Sequence, residues 1–272
     1  MFRKAVTTLT ALALLSGIAS ALTLDPLKGW TTAIHLDKAV EVAKKKDCPI
    51  VLLYAPQEGG GEVVRARVYM RLPGLRGMVR VLVYESTRPP SVFQKVADQV
   101  EEPNEDLPIM YIATPELKIL GFVQSGAHKK TANRVIAHVR KTMKWIEASR
   151  KSIASAEKGA EVGKFGTLMT TLKRINDEDK KKGILTTRTW NIVLSRDEVD
   201  TFYFPEVPDK IAEVSGAAQA YLQKVRAAVA AKDYKTARRM VYPMASDKGD
   251  LPELTEAKAL LKQIDATMKA TP

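Results

Sequence analysis

Two hydrophobic periods alternate between residues 30 and 150. Ala39, Val40 and Ala43 share one side of a helix that starts near His35, runs into the polar stretch Lys44, Lys45, Lys46, Asp47 and is stopped by Pro49. Ile50–Ala55 is a continuous apolar run of strand length, the pattern of a central strand covered on both faces. Residues 78–84, MVRVLVY, form a second such run. Pro89 and Pro90 open a helix over 91–100, since proline is tolerated where the first-turn N–H has no partner. After the acidic loop 101–106, Ile109–Ala113 and 118–123 read as two strands joined by Thr114-Pro115-Glu116-Leu117, a hairpin. A last helix carries Ala132, Val135, Ile136, Val139, Met143 and Ile146 on one face. Strands alternating with helices predict an α/β layer structure for residues 22–150.

The texture changes near residue 150. From 151 to 272 the pattern is helical, apart from a doubtful strand-like stretch around 189–194. Ile211, Val214, Ala218, Tyr221, Leu222, Val225 and Val229 recur at helical spacing, and so do Leu254, Ala257, Leu261, Ile264 and Met268. Between them Asp233 and Tyr234 open a short helix with Ala237, Met240 and Val241, and residues 243–252, bounded by two prolines, are expected to break it. Phe165-Gly166-Thr167-Leu168 is echoed by Tyr234-Lys235-Thr236-Ala237 at an offset of 234 − 165 = 69 residues. Degenerate helix-hairpin repeats of the tetratricopeptide type would give that echo, and so would an ordinary helical bundle. The expected organisation is a leader over 1–21, an α/β domain over 22–150 and an all-α domain over 151–272.

The leader follows from the first residues. Arg3 and Lys4 precede an apolar stretch interrupted by Thr and Ser, which ends in Ala19-Ser20-Ala21, the small residues that signal peptidase admits. A membrane anchor needs a longer and more apolar stretch of about 20 residues. The expected product is exported, periplasmic or secreted, and without a transmembrane segment once the leader is removed.

Composition narrows the chemistry. The chain has 272 residues, 43 of them Lys or Arg and 31 Asp or Glu, for a formal charge of +12. Residues 22–150 hold 20 basic and 14 acidic side chains, so the charge is spread along the chain and not gathered in a stripe. With aromatics at 6%, nucleic-acid recognition has little support. Cys48 is the single cysteine, which excludes an intramolecular disulfide, and one Cys with three His gives no zinc-like spacing. Three roles are open to Cys48: a mixed disulfide, a peroxidatic thiol, or a plain place at the start of a strand. Lys44, Lys45 and Lys46 favour its thiolate, Asp47 opposes them, and no resolving Cys exists. His35, His128 and His138 are not spaced for metal or triad chemistry, and no Gly-x-Ser-x-Gly elbow occurs. Gly59-Gly60-Gly61 lacks the Lys-Ser or Lys-Thr of a phosphate loop and is flanked by Glu58 and Glu62. No metal, and no other cofactor, is expected.

The order helix, strand, loop, strand, helix, hairpin, helix resembles the thioredoxin-like fold, in particular exported bacterial members with a Trp, here Trp30, before the first helix. Leu107-Pro108-Ile109-Met110-Tyr111-Ile112-Ala113 carries most of the resemblance, which implies that Pro108 is cis and faces the active-site loop. The aromatic-Ala pair ahead of that loop is Tyr54-Ala55. Matched one to one, Gln57 stands in place of the motif's Trp, Glu58 of the attacking Cys and Gly61 of the resolving Cys. Thiol exchange needs one thiolate to attack and a second thiol to resolve, which Glu and Gly cannot supply. The resemblance thus implies a redox-inactive domain whose groove, with Gln57, Glu58, Gly61, Leu107 and Pro108 as candidates, binds extended protein or peptide. The alternatives are a thiol-dependent oxidoreductase or peroxidase using Cys48, and a structural envelope component that assembles through the helical tail. N-terminal sequencing of protein from its native host is expected to begin at Leu22; a mature form that keeps Met1 would contradict export by cleavage.

Overall fold

The computed structural model describes residues 22–100, 106–182, 184–188, 191–195 and 203–270. The expected leader and most of the acidic loop lie outside these residues. The chain divides into two compact units, Met1–Val139 with Leu185–Val193, and Arg140–Ile184 with Leu194–Pro272.

In the first unit the elements run β1 (Leu22–Thr23), β2 (Thr31–Thr32), α1 (Leu36–Lys46), β3 (Ile50–Ala55), β4 (Glu58–Gly59), α2 (Gly61–Met70), β5 (Val79–Tyr84), α3 (Ser91–Ala97), β6 (Ile109–Ala113) and β7 (Ile119–Val123). The main sheet is mixed, in the order β2-β5-β3-β6-β7, with helices beside it. As the apolar run predicts, β3 is central and Ile50, Val51, Leu52 and Leu53 are wholly buried. It pairs parallel with β5, Ile50 opposite Val79 through Ala55 opposite Tyr84, and antiparallel with β6, Ile50 opposite Ala113. Tyr54, Phe93, Tyr111 and Phe122 form a chain of ring contacts with centroids 5.2, 5.6 and 6.2 Å apart. Burial pushes the Tyr111 phenol up to about 12.

Local chemistry explains the element ends. Asp47 closes α1 in the left-handed region at φ 45°, as a short polar residue can. The β6–β7 turn is held by Thr114, whose Oγ accepts from the N–H groups of Glu116 and Lys118, each at 3.2 Å. The helix expected over 91–100 stops earlier, at Ala97, and the Gln99 side chain turns to the hairpin. Its Nε2 donates to the Leu117 carbonyl at 2.6 Å and its Oε1 accepts from the Ile119 N–H at 3.0 Å.

Helix α4 (Lys129–Glu161) passes through residue 150, where a domain boundary was expected. It holds no Pro, and its one Gly, Gly159, lies in its last turn, so nothing local ends it there. The tail is also not wholly helical, because β8 (Ile184–Arg188) and β9 (Asn191–Ser195) follow α5 (Phe165–Lys180) and extend the sheet. β8 runs parallel to β7, with Gly121 opposite Leu185. Within the strand-like stretch, residues 191–194 are therefore strand, residues 189 and 190 lie outside the described residues, and a further strand that the pattern did not suggest precedes it at Ile184–Arg188.

In the second unit come α6 (Val207–Ala230), α7 (Tyr234–Ala245) and α8 (Pro252–Ala270). The 69-residue echo is realised in the backbone. Both Phe165 and Tyr234 begin a helix after a three-residue turn whose middle residue has positive φ, Gly163 at 99° and Lys232 at 60°. In each turn the last residue donates to the carbonyl five residues back, Lys164 to Gly159 and Asp233 to Ala228. Asp233 also caps α7, accepting from the Thr236 N–H at 3.0 Å. Pro243 does not break that helix as expected. It sits in the last turn, so its missing N–H forfeits one bond near an end that already frays. Among the described residues no helix is long and apolar enough to cross a membrane.

Tyr69 ties α2 to the segment that follows β7: it is 2% exposed and its hydroxyl lies 2.8 Å from the Gln124 carbonyl and 3.3 Å from the Ala127 carbonyl, both acceptors. The Gln124 carbonyl keeps a second donor, the Ala127 N–H, and Ala127 is only half-buried, so Tyr69→Phe is expected to cost about 1 kcal/mol in urea unfolding. Burial raises the Tyr69 phenol to about 12, so its contribution is present below pH 10 and lost as pH rises towards 12. Tyr69→Phe is expected to remove that part of the alkaline loss of stability.

Candidate functional site

Strand direction gathers four loops at one end of the first unit. β3 and β5 are parallel, β6 is antiparallel to β3, and β7 is antiparallel to β6. The C-terminal ends of β3, β5 and β7 therefore lie with the N-terminal end of β6, the end of an open sheet where crevices form. An open cleft of about 470 Å³ lies there. The β3 loop supplies Pro56 and Glu58, α2 supplies Glu62 and Arg65, and Glu85 follows β5. Asp106 and Leu107 precede β6, and Ser125 and Gly126 follow β7.

Four carboxylates face one guanidinium in this cleft. Arg65 Nη2 donates to Glu62 Oε1 at 3.0 Å, a half-exposed pair one helical turn apart, which leaves Glu58, Glu85 and Asp106 as the excess. Ser125 Oγ donates to the Leu107 carbonyl at 2.7 Å and fixes the β6 approach against the β7 exit. The Leu107–Pro108 peptide is cis and Pro108 is buried.

The sequence candidates are partly brought together. Glu58 and Leu107 line the cleft. Gln57 turns elsewhere, with its Oε1 accepting from Ser86 Oγ at 3.2 Å and its carbonyl accepting from the Leu24 N–H at 2.7 Å. Gly61 opens α2 after Gly60, and Gly59 adopts φ 148°, where a side chain is disfavoured. The Gln57–Glu58–Gly59 backbone is not an open edge. β1 pairs with it antiparallel, Leu22 opposite Gly59 and Thr23 opposite Glu58.

That N-terminal strand has no forerunner in the sequence reading. Leu24 is wholly buried, Arg67 Nη2 donates to the Thr23 carbonyl at 2.7 Å, and the Tyr84 hydroxyl donates to the Leu24 carbonyl at 2.7 Å. Burial, with the Asp25 carboxylate adding to it, raises the Tyr84 phenol further above neutral pH. Glu62, Arg65, Glu85 and Asp106 are likewise absent from the sequence candidates. The only sequence signal among them is the three-residue spacing of Glu62 and Arg65.

Cys48 lies at the other end of β3. Six strand residues at ~3.3 Å each separate it from the cleft by about 20 Å. Burial pushes its thiol up, against smaller opposing effects of the Val79 backbone and Lys46. A raised thiol is the reverse of an activated one. Among the described residues no cluster of three or more His, Cys, Asp or Glu could hold a metal ion.

No family model and no curated protein matches the chain.

Leu24→Ala is expected to destabilise the first unit by about 2 kcal/mol or more, because a wholly buried leucine is removed. Amide exchange at Leu24, whose N–H is bonded to Gln57, is expected to quicken in the same variant.

Proposed function

We propose that the chain is an exported, redox-inactive thioredoxin-like protein that acts as a protein or peptide binding module through the cleft beside Glu58 and Leu107. The observation that carries this reading is the cleft itself: it stands where four loops meet, and carboxylates occupy it with no thiol. Its excess of Glu58, Glu85 and Asp106 over the Arg65–Glu62 pair favours a partner segment that presents Lys or Arg, whose attraction operates over about a Debye length. Backbone pairing at Gln57–Glu58–Gly59 is already met by β1, so recognition falls to side chains in the cleft.

The rival use of Cys48 is disfavoured by its distance from the cleft and by its raised thiol. The test is photo-crosslinking in the intact envelope from a probe at Ser125, comparing the wild-type chain with Glu58→Lys, Glu85→Lys. Partner recovery is expected to drop about tenfold or more in the double variant, the size of a like-charge penalty at a rim. Insulin-disulfide reduction is expected at background in both. Unchanged recovery, or disulfide turnover that vanishes with Cys48→Ser, would overturn the reading.

A further inference from the structure

The second unit carries its own cleft, of about 600 Å³, walled by α7 and α8 and lined by Lys235, Thr236, Arg238, Arg239, Tyr242 and Met268. On α7 the spacing of Lys235, Arg238, Arg239 and Tyr242 puts three cations and an aromatic ring on one face. Tyr242 is 54% exposed and Met268 40% exposed, so an aromatic ring and a thioether, both adaptable contact surfaces, stand in water in the same cleft. Arg238 is held in place: its Nε donates to Asp265 Oδ1 at 2.7 Å, and its guanidinium carbon stands 5.9 Å from the Tyr242 ring centroid.

Charge is not balanced there. Asp265 is engaged with Arg238, and Asp233 is engaged in capping α7 through the Thr236 N–H, with Arg239 and Lys235 acting on it only through longer-range attraction. Neither Lys235 nor Arg239 makes a salt bridge among the described residues.

A small inorganic anion would answer the cations and leave Tyr242 and Met268 wet. A lipid surface would meet the rim and not enter a concave cleft. An extended chain with an apolar side chain between carboxylates answers both features, since it buries the ring and the thioether while its acids face Lys235 and Arg239. We propose that the α7–α8 cleft docks an acidic peptide segment of a partner protein, apolar residue inward and carboxylates on the cationic rim. This site lies within the second unit and does not depend on the reading of the cleft beside Glu58.

The test is fluorescence anisotropy of the mature full chain with a labelled Glu-Asp-Leu-Glu-Asp peptide. Saturable binding is expected, weakened about tenfold or more by Arg239→Glu or Lys235→Glu and by raising salt from about 0.1 M to about 1 M. Lys224→Glu, the same charge change at an exposed position of α6, is expected to alter it less than about threefold. Tyr242→Ala is expected to weaken binding at both salt concentrations. All four substituted side chains are exposed, and circular dichroism of each variant establishes that the helices persist. Equal binding of the Arg239→Glu protein, equal binding of a peptide with Ser for Leu, or binding to phosphatidylglycerol vesicles without binding to the peptide overturns the proposal.

Discussion

The first unit depends on the unequal neighbours of one strand. Ile50, Val51, Leu52 and Leu53 are wholly buried, so β3 must be covered on both faces and paired along both edges. A parallel neighbour needs a long crossover, which α2 and the turn after it provide. The antiparallel neighbour β6 then reverses the chain, and β7 reverses it again. Three strand exits and one strand entrance consequently share an end, and residues as distant in sequence as Glu58 and Ser125 line one cleft. The same rule sends Cys48 away from it, because a residue that precedes β3 belongs to the opposite end.

The N-terminal strand changes what that end can offer. An unpaired backbone edge recruits any extended chain, with affinity from main-chain hydrogen bonds and little selectivity. Here Leu22 and Thr23 occupy the edge, and Leu24 is anchored by burial and by the Tyr84 hydroxyl. A partner pairing with Glu58 and Gly59 would first have to displace a fully buried leucine. What remains accessible is the carboxylate lining, a more selective surface because it discriminates by charge and by side-chain reach.

How much of this was legible depended on whether a signal was local. Ile50–Ala55, the β6–β7 hairpin and the helical faces of α1 and α6 are each written in consecutive or regularly spaced residues. The duplicated turn before Phe165 and Tyr234 showed as a sequence echo for the same reason. β8 and β9 were obscure because two short strands with polar flanks give little periodicity, and β8 is completed by pairing with β7, a partner about 60 residues away by the register of Gly121 and Leu185. β1 was hidden because two residues, Leu22 and Thr23, are too few to show a strand period, and they are completed by pairing with Glu58 and Gly59, about 35 residues away by that register. In the site, Glu58 and Leu107 could be named because they adjoin the loop and the proline. Glu85 and Asp106 could not, since only the strand order brings them beside Glu58.

Charge sign offers a physical reason why a basic chain should carry two such different clefts. At a formal charge of +12 the long-range field draws acidic molecules without regard to site, and that attraction is screened beyond a Debye length in salt. Specificity must then come from short-range departures from the mean. In the first unit the departure is one of sign, with Glu58, Glu85 and Asp106 placed against the field, so the cationic segment proposed for that cleft would be held by local carboxylates that the rest of the protein opposes. In the second unit Lys235, Arg238 and Arg239 run with the field, and their selectivity rests on the apolar contacts of Tyr242 and Met268 that a purely ionic ligand cannot use. Salt is expected to separate the two proposed attractions: in the first unit it screens the local attraction together with the long-range repulsion that opposes it, whereas in the second the local and long-range parts have the same sign and are screened together.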